Sequence, residues 1–202
     1  MTQGRTDTAA EQDNDMNQDT TRRSLLLGAG TLVAGLAAPG LLRAQETPSR
    51  NVSGFVTHDW RDHFESLGTG AIVADTTSTS LHYWSADGSD YRVYPTSVPA
   101  SDELTRRGYT EVVEKKVAPT WTPTPSMRER FPEWPAVMPG GDPRNPLGAC
   151  ALYLSWQYYR IHGTHDTRKI GRPSSDGCVG LYNEHITQLF DLVPVGTKVR
   201  II

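Results

Sequence analysis

From Gly70 onward the chain alternates between short apolar runs and turn-forming clusters. Ala71–Asp75 is apolar at four consecutive positions and predicts a strand, and Leu81–Trp84 predicts a second. Ala86-Asp87-Gly88-Ser89 then makes a tight turn before Tyr91–Tyr94, because Asp-Gly supplies the positive φ that a hairpin needs. Further strands are predicted at Glu111–Val117, Ala149–Ser155, Gln157–His162 and Thr197–Ile202. Helical spacing occurs clearly once, at Ile186, Leu189, Phe190 and Val193, with Asn183 as the expected N-cap and Pro194 and Gly196 as the stop. The pattern predicts a mainly β, sandwich-like domain with one clear helix near its C-terminus and no internal repeats.

Residues 118–148 break the pattern. Prolines stand at 119, 123, 125, 132, 135, 139, 143 and 146, beside Trp121, Trp134 and Gly140-Gly141. Proline has no N–H to donate, so this stretch cannot be a central strand. Ser126–Arg130 is expected to form a helical turn or two. A stiff, aromatic-bearing loop of this length reads as a Pro-rich lid; the alternative is a cover packed over one end of the core.

The N-terminal part reads as an address. Residues 1–20 are polar and acidic; Thr21-Arg22-Arg23-Ser24 follows, then an uncharged run to Ala38 that Pro39 and Gly40 break. The run is shorter than the ~20 residues of a membrane helix. We expect a signal peptide over residues 1–44, its Arg pair resembling a twin-arginine signal. An ordinary Sec signal and a retained anchor are the alternatives. No Cys lies near the expected cleavage at Ala44, so a lipoprotein is not indicated. Residues 45–66 are expected to be a polar arm or linker, and 67–202 the functional domain.

Composition narrows the function. The formal net charge is −3 over 202 residues, and four of the 20 basic residues (Arg5, Arg22, Arg23, Arg43) lie in the leader. No basic surface for nucleic acid is implied. Two cysteines, Cys150 and Cys178, are too few for a disulfide framework.

His162 ends an apolar strand, and Cys178 follows Gly177 at the end of a polar loop, residues 163–177. A thiol needs a base or positive field to become the nucleophilic thiolate, and His is the usual partner. Gly177 allows close backbone approach, so N–H groups around Cys178 could hold an oxyanion. The bland alternative is a small buried Cys and a His that is merely hydrogen-bonded.

His162-Gly163-Thr164, the loop, Ser175-Asp176-Gly177-Cys178 and Asn183, with sixteen residues from His to Cys, resemble the signature of YkuD-type L,D-transpeptidases. Trp121–Pro125, Met138–Gly141, Asn145–Gly148 and Val195–Val199 agree with it, so the resemblance covers about residues 67–202. It implies a mostly β catalytic domain without cofactor or metal; with the signal-peptide reading, the expected location is the periplasm, with no stable membrane anchor after cleavage. The implied substrate is a peptidoglycan stem tetrapeptide, attacked at the meso-diaminopimelate carbonyl. Release of D-Ala leaves an acyl-enzyme that passes to an amine or water. It assigns Cys178 as nucleophile, His162 as base, the Gly163 carbonyl as the group that orients the imidazole, Ser175 as a loop-shaping residue, and the N–H groups of Gly177 and Cys178 as oxyanion donors.

Two positions depart from the family. Gly180 stands where members often carry an Arg that can hold a substrate carboxylate, and Asp176 precedes the Gly-Cys pair. Arg172 and Arg168 are the expected substitutes for that cation, with Asn183 also at the substrate. The acceptor amine is left open between a stem peptide, a lipoprotein lysine and an outer-membrane protein. Competing readings are an L,D-carboxypeptidase on the same bonds, a zinc hydrolase using His162, His165 and Cys178 with Asp166 or Asp176, and an inactive wall-binding module.

Overall fold

The computed structural model describes residues 56–202, so the expected signal peptide and the start of the arm, to residue 55, lie outside the described residues. Ten strands follow in chain order: β1 (Ala71–Asp75), β2 (Ser80–Trp84), β3 (Tyr91–Pro95), β4 (Val98–Pro99), β5 (Gly108–Val117), β6 (Cys150–Leu154), β7 (Arg160–His162), β8 (Pro173–Ser175), β9 (Val179–Gly180) and β10 (Lys198–Ile201). Helix α1 (Pro125–Arg130) lies in the Pro-rich stretch, and α2 (Asn183–Leu192) lies between β9 and β10. Eight strands form one sheet in the order β3-β2-β1-β10-β5-β6-β7-β9, and β4 and β8 form a small second one. This is the mainly β architecture that the alternation predicts.

The long strand β5 joins the two halves. Its residues 108–111 pair with β10, and the register shifts between Val112 and Glu114 before the rest pairs with β6. Such a bulge bends a strand and increases local twist. Against the bent sheet packs α2, which buries Ile186 and Leu189 with Val193 beyond its end, against Leu152, Ile161, Val179 and Leu181. Side chains of a strand alternate between faces, so Ile72 and Ala74 of β1 join this core while Ala71 and Val73 point the other way.

That second face is covered by Phe64 and Leu67, with Trp60 against them. β1 is therefore buried at all five positions, which is why its sequence is a continuous apolar run instead of an alternating one. The described part of the 45–66 arm is thus packed onto the sheet. Trp60, Phe64 and Leu67 sit at helical spacing, and a 3₁₀ turn at Trp60–Asp62 presents them.

Local differences from expectation are instructive. The strand expected at Gln157–His162 is only Arg160–His162, because Trp156–Tyr159 turns back, with Tyr158 at φ +68°. The loop expected over 163–177 contains β8 and a 3₁₀ turn at Thr167–Lys169. Asn183 is not the N-cap. It is the first helical residue, Tyr182 caps α2, and Asn183 Oδ1 accepts from the Ala149 N–H at 2.9 Å. A Cβ on Gly148 or Gly163 would collide with that oxygen. The Gly in His162-Gly163 is therefore required by the Asn183 clamp between α2 and the β6–β7 region. Asn183 is accordingly a positioning group and does not line the cleft described next.

Candidate active site

A cleft of about 120 Å³ is lined by Cys178, His162, Ser175, Arg160, Tyr158 and Ser97, and on its other side by Trp121, Met127, Trp134 and Leu147 of the Pro-rich stretch. That stretch is braced within itself. Trp121 bridges Met138 through backbone hydrogen bonds, Phe131 stacks on Trp134 with centroids 4.3 Å apart, and buried Asn145 donates to the Pro119 and Pro139 carbonyls. It is also tied to the Cys178 loop, since Arg130 of α1 pairs with Asp176 at 2.6 Å. The Pro-rich segment is thus a wall of the cleft, and Asp176 is the anchor of that wall.

Strand pairing brings the Cys and the His together. β7 and β9 run parallel, with Ile161 opposite Val179 and His162 opposite Gly180, so Cys178 enters β9 beside the end of β7. The His162 Nδ1–H donates to the Gly163 carbonyl at 2.5 Å. A carbonyl can only accept, so the proton is on Nδ1 and Nε2 is the basic nitrogen. Burial pushes the His162 pKa down to about 4, with Arg160 and Lys169 opposing its charge as well. The imidazole is therefore neutral at ordinary pH. Ser175 Oγ donates to the Cys178 carbonyl at 2.5 Å, closing the loop around the thiol, and Gly177 sits at φ +121°, which a side chain would strain.

The thiol itself donates to the Tyr158 carbonyl at 3.4 Å. Burial raises its pKa, and Arg160 pulls the other way through its charge and hydrogen bonds. Tyr158 and Arg160 are the residues that sequence reading missed. The signal for Tyr158 is structural, a non-glycine residue held at positive φ beside the site.

The expected cations lie elsewhere. Arg168 is exposed and paired with Asp166 at 2.7 Å, and neither Arg168 nor Arg172 lines the cleft, whose cations are Arg160 and Lys169. Beside Gly180, the space a side chain would enter is held by Ser97 Oγ. The zinc reading loses its ligands, with Asp166 bound to Arg168 and Asp176 to Arg130. Among the described residues no three His, Cys, Asp or Glu side chains come together. Both cysteines are free, and Cys150 is buried. A larger hollow of about 510 Å³, beside His63, Tyr109 and Lys198, holds no thiol, and its Ser155 hydroxyl is bonded to Thr110.

Comparison with known proteins identifies the family. The family model for the L,D-transpeptidase catalytic domain, YkuD, matches residues 69–201. A Fuscovulum blasticum protein named as an L,D-transpeptidase in the ATP synthase subunits region (ORF 5) is 60% identical over 184 residues, covering 90% of this chain and 96% of its own length. ErfK/SrfK of Escherichia coli K12, also named as an L,D-transpeptidase, is 40% identical over 136 residues, which is 65% of this chain and 43% of that relative. The chain thus spans less than half of the E. coli protein. An L,D-transpeptidase structure from Mycobacterium smegmatis shares the fold, with a TM-score of 0.50 at 20% identity over 66% of this chain and 58% of that one. With a family model matching residues 69–201 and a curled sheet in which the His162 strand pairs with the strand that follows Cys178, this chain belongs to the YkuD L,D-transpeptidase catalytic-domain family.

Proposed function

We propose that the protein is a cysteine L,D-transpeptidase acting on peptidoglycan stem tetrapeptides in the periplasm. The observation that carries the reading is the shared cleft of Cys178 and His162, in which the Gly163 carbonyl fixes the proton on Nδ1 and leaves Nε2 as the base. His162 Nε2 takes the thiol proton, and the sulfur attacks the carbonyl at which the D-Ala leaves. N–H groups of Gly177 and Cys178 receive the negative oxygen, and the proton on Nε2 passes to the departing amine. The thioester then transfers to an acceptor amine, either another stem peptide or an envelope protein. The aromatic wall at Trp121 and Trp134 keeps bulk water from part of the cleft, which favours the amine over hydrolysis.

The test is incubation of the protein with purified disaccharide-tetrapeptide, followed by mass spectrometry. A cross-linked dimer is expected. Tripeptide alone would replace transpeptidation with L,D-carboxypeptidase activity. No change, together with no carbapenem adduct on Cys178, would leave a wall-binding module.

A further inference from the structure

Arg160 stands beside the Cys178 thiol on a strand, apart from the loop in which Arg168 and Arg172 are expected to hold a substrate carboxylate. It is the first residue of β7, two before His162, and it lines the same cleft as Cys178. Its Nη1 donates to the Tyr158 carbonyl at 3.2 Å, the same oxygen that accepts from the Cys178 thiol at 3.4 Å. Its guanidinium lies over the Tyr153 ring, 4.8 Å from the centroid. Its Nε is buried and meets no hydrogen-bond partner among the described residues. A buried donor without a partner is costly, and it is retained where an acceptor arrives during function.

We propose that Arg160 is a catalytic residue that receives the Cys178 sulfur as a thiolate, exchanging partners with the Tyr158 carbonyl when the thiol ionises. The proposal rests on the reading of Cys178 as the nucleophile. A carbonyl oxygen is a good acceptor for S–H and a poor neighbour for S⁻; a guanidinium is the reverse. On ionisation the thiol proton goes to His162 Nε2 and the electron pair stays on sulfur. The repelled sulfur gives up the Tyr158 carbonyl and keeps Arg160, whose charge and N–H groups already act on it and whose Nε–H is still unspent. This places the positive charge on β7, while Gly180, two residues beyond the Cys, offers only backbone.

The cations and anions around the sulfur are few. Arg160 draws its pKa down, while Asp176, held by Arg130, pushes it up only weakly. Lys169 faces the cleft from the loop and acts on His162.

The test is alkylation of the full chain by iodoacetamide from pH 5 to 10, read at the Cys178 peptide by mass spectrometry. Arg160→Gln should raise the apparent thiol pKa by about one unit, slowing alkylation near neutral pH about tenfold while the plateau at high pH is unchanged. Arg160→Lys, which keeps a charge, should recover most of the loss. A wild-type profile for Arg160→Gln would overturn the proposal. So would an equal fall at every pH in both variants, which is the mark of a purely structural role. Should Arg160→Gln not fold, Arg160→Met, which keeps the apolar stem and removes the charge, is read in the same way: a raised thiol pKa with an unchanged high-pH plateau supports the proposal, and a wild-type profile overturns it. Failure of the nucleophile reading is seen separately, as a carbapenem adduct on the wild-type protein at a residue other than Cys178.

Discussion

At the β1–β2 end of the sheet, the polar side chains that converge on Asp75 are all joined to one another; at the β7–β9 end, some are left unspent. Asp75 terminates two hydrogen-bond chains. In one, Arg200 donates to His63 Nδ1, so His63 Nε2–H donates to His58 Nδ1, and His58 Nε2–H to the Asp75 carboxylate. In the other, Tyr91 O–H reaches His82 Nδ1, His82 Nε2–H reaches Ser80, Ser80 reaches Ser78, and Ser78 donates to Asp75 at 2.7 Å. Because the carboxylate can only accept, every proton in both chains has an assigned place. At the other end, among the described residues, His162 uses only Nδ1 and Arg160 Nε has no partner. Two clusters of the same residue types thus serve opposite ends. A satisfied network holds structure together, and an incomplete one awaits a reactant.

The largest effects should separate the two regions cleanly. Cys178→Ala should abolish carbapenem adduct formation with little change in the urea midpoint. An adduct surviving on that variant would remove the cleft from the comparison. His162→Ala should slow acylation by about 10²–10⁴-fold, the usual loss for a general base, whereas His165→Ala should leave the rate near wild type. Equal damage from both would break the assignment of Nε2.

Asp75→Asn should do the converse. It puts an NH₂ group among donors that need an acceptor, costing about 2–4 kcal/mol of stability in urea unfolding, while acylation per folded molecule is unchanged. A stable Asp75→Asn protein would show that the two chains do not depend on their terminus.

Acid should divide the regions as well. Burial pushes His82 down to about 4, with the nearby His58 adding to the effect, against 6.5 for an unburied His. Between those values the unfolded chain binds a proton that the fold refuses. Stability is therefore fully present above pH ~6.5 and falls as the pH drops toward 4, by about 3 kcal/mol for His82 alone. His63 shifts in the same direction, through burial first and then Arg200 and His58. His162, lowered to about 4, should keep acylation per folded molecule steady through most of the same window. Urea midpoints that stay level from pH 7 to 4.5 would contradict the His82 account. The smallest effect expected is that of Arg168→Ala, less than twofold on acylation, because its guanidinium is exposed and spent on Asp166.

The strands, α2, the Pro-rich wall and the His162–Cys178 pair were legible because each is written in local pattern or motif spacing. What was not legible depends on contacts between distant segments. The docking of Trp60, Phe64 and Leu67 needs a second sheet face that only the assembled β1 provides. Asn183 carries the residue type of an N-cap, yet it is held by the Ala149 N–H, a partner 34 residues away. Nearness in the chain points to Arg168 and Arg172, in the loop between His162 and Cys178. Arg160 reaches the thiol because the turn at Tyr158 shortens β7 and β9 pairs beside it. The Asp75 network lies among residues that read as ordinary strand and turn positions, with no motif to mark them.

The place of β10 governs how the molecule is made. It lies between β1 and β5, pairing parallel with the first strand of the domain and antiparallel with the fifth. Until residues 198–201 have left the ribosome, β1 lacks one neighbour and β5 lacks the other, so the sheet exists as two unjoined pieces. Closing a contact between such distant segments is entropically slow. Folding of this domain is accordingly complete only once β10 has joined the two pieces, and a chain truncated before Lys198 should be protease-sensitive within residues 56–197.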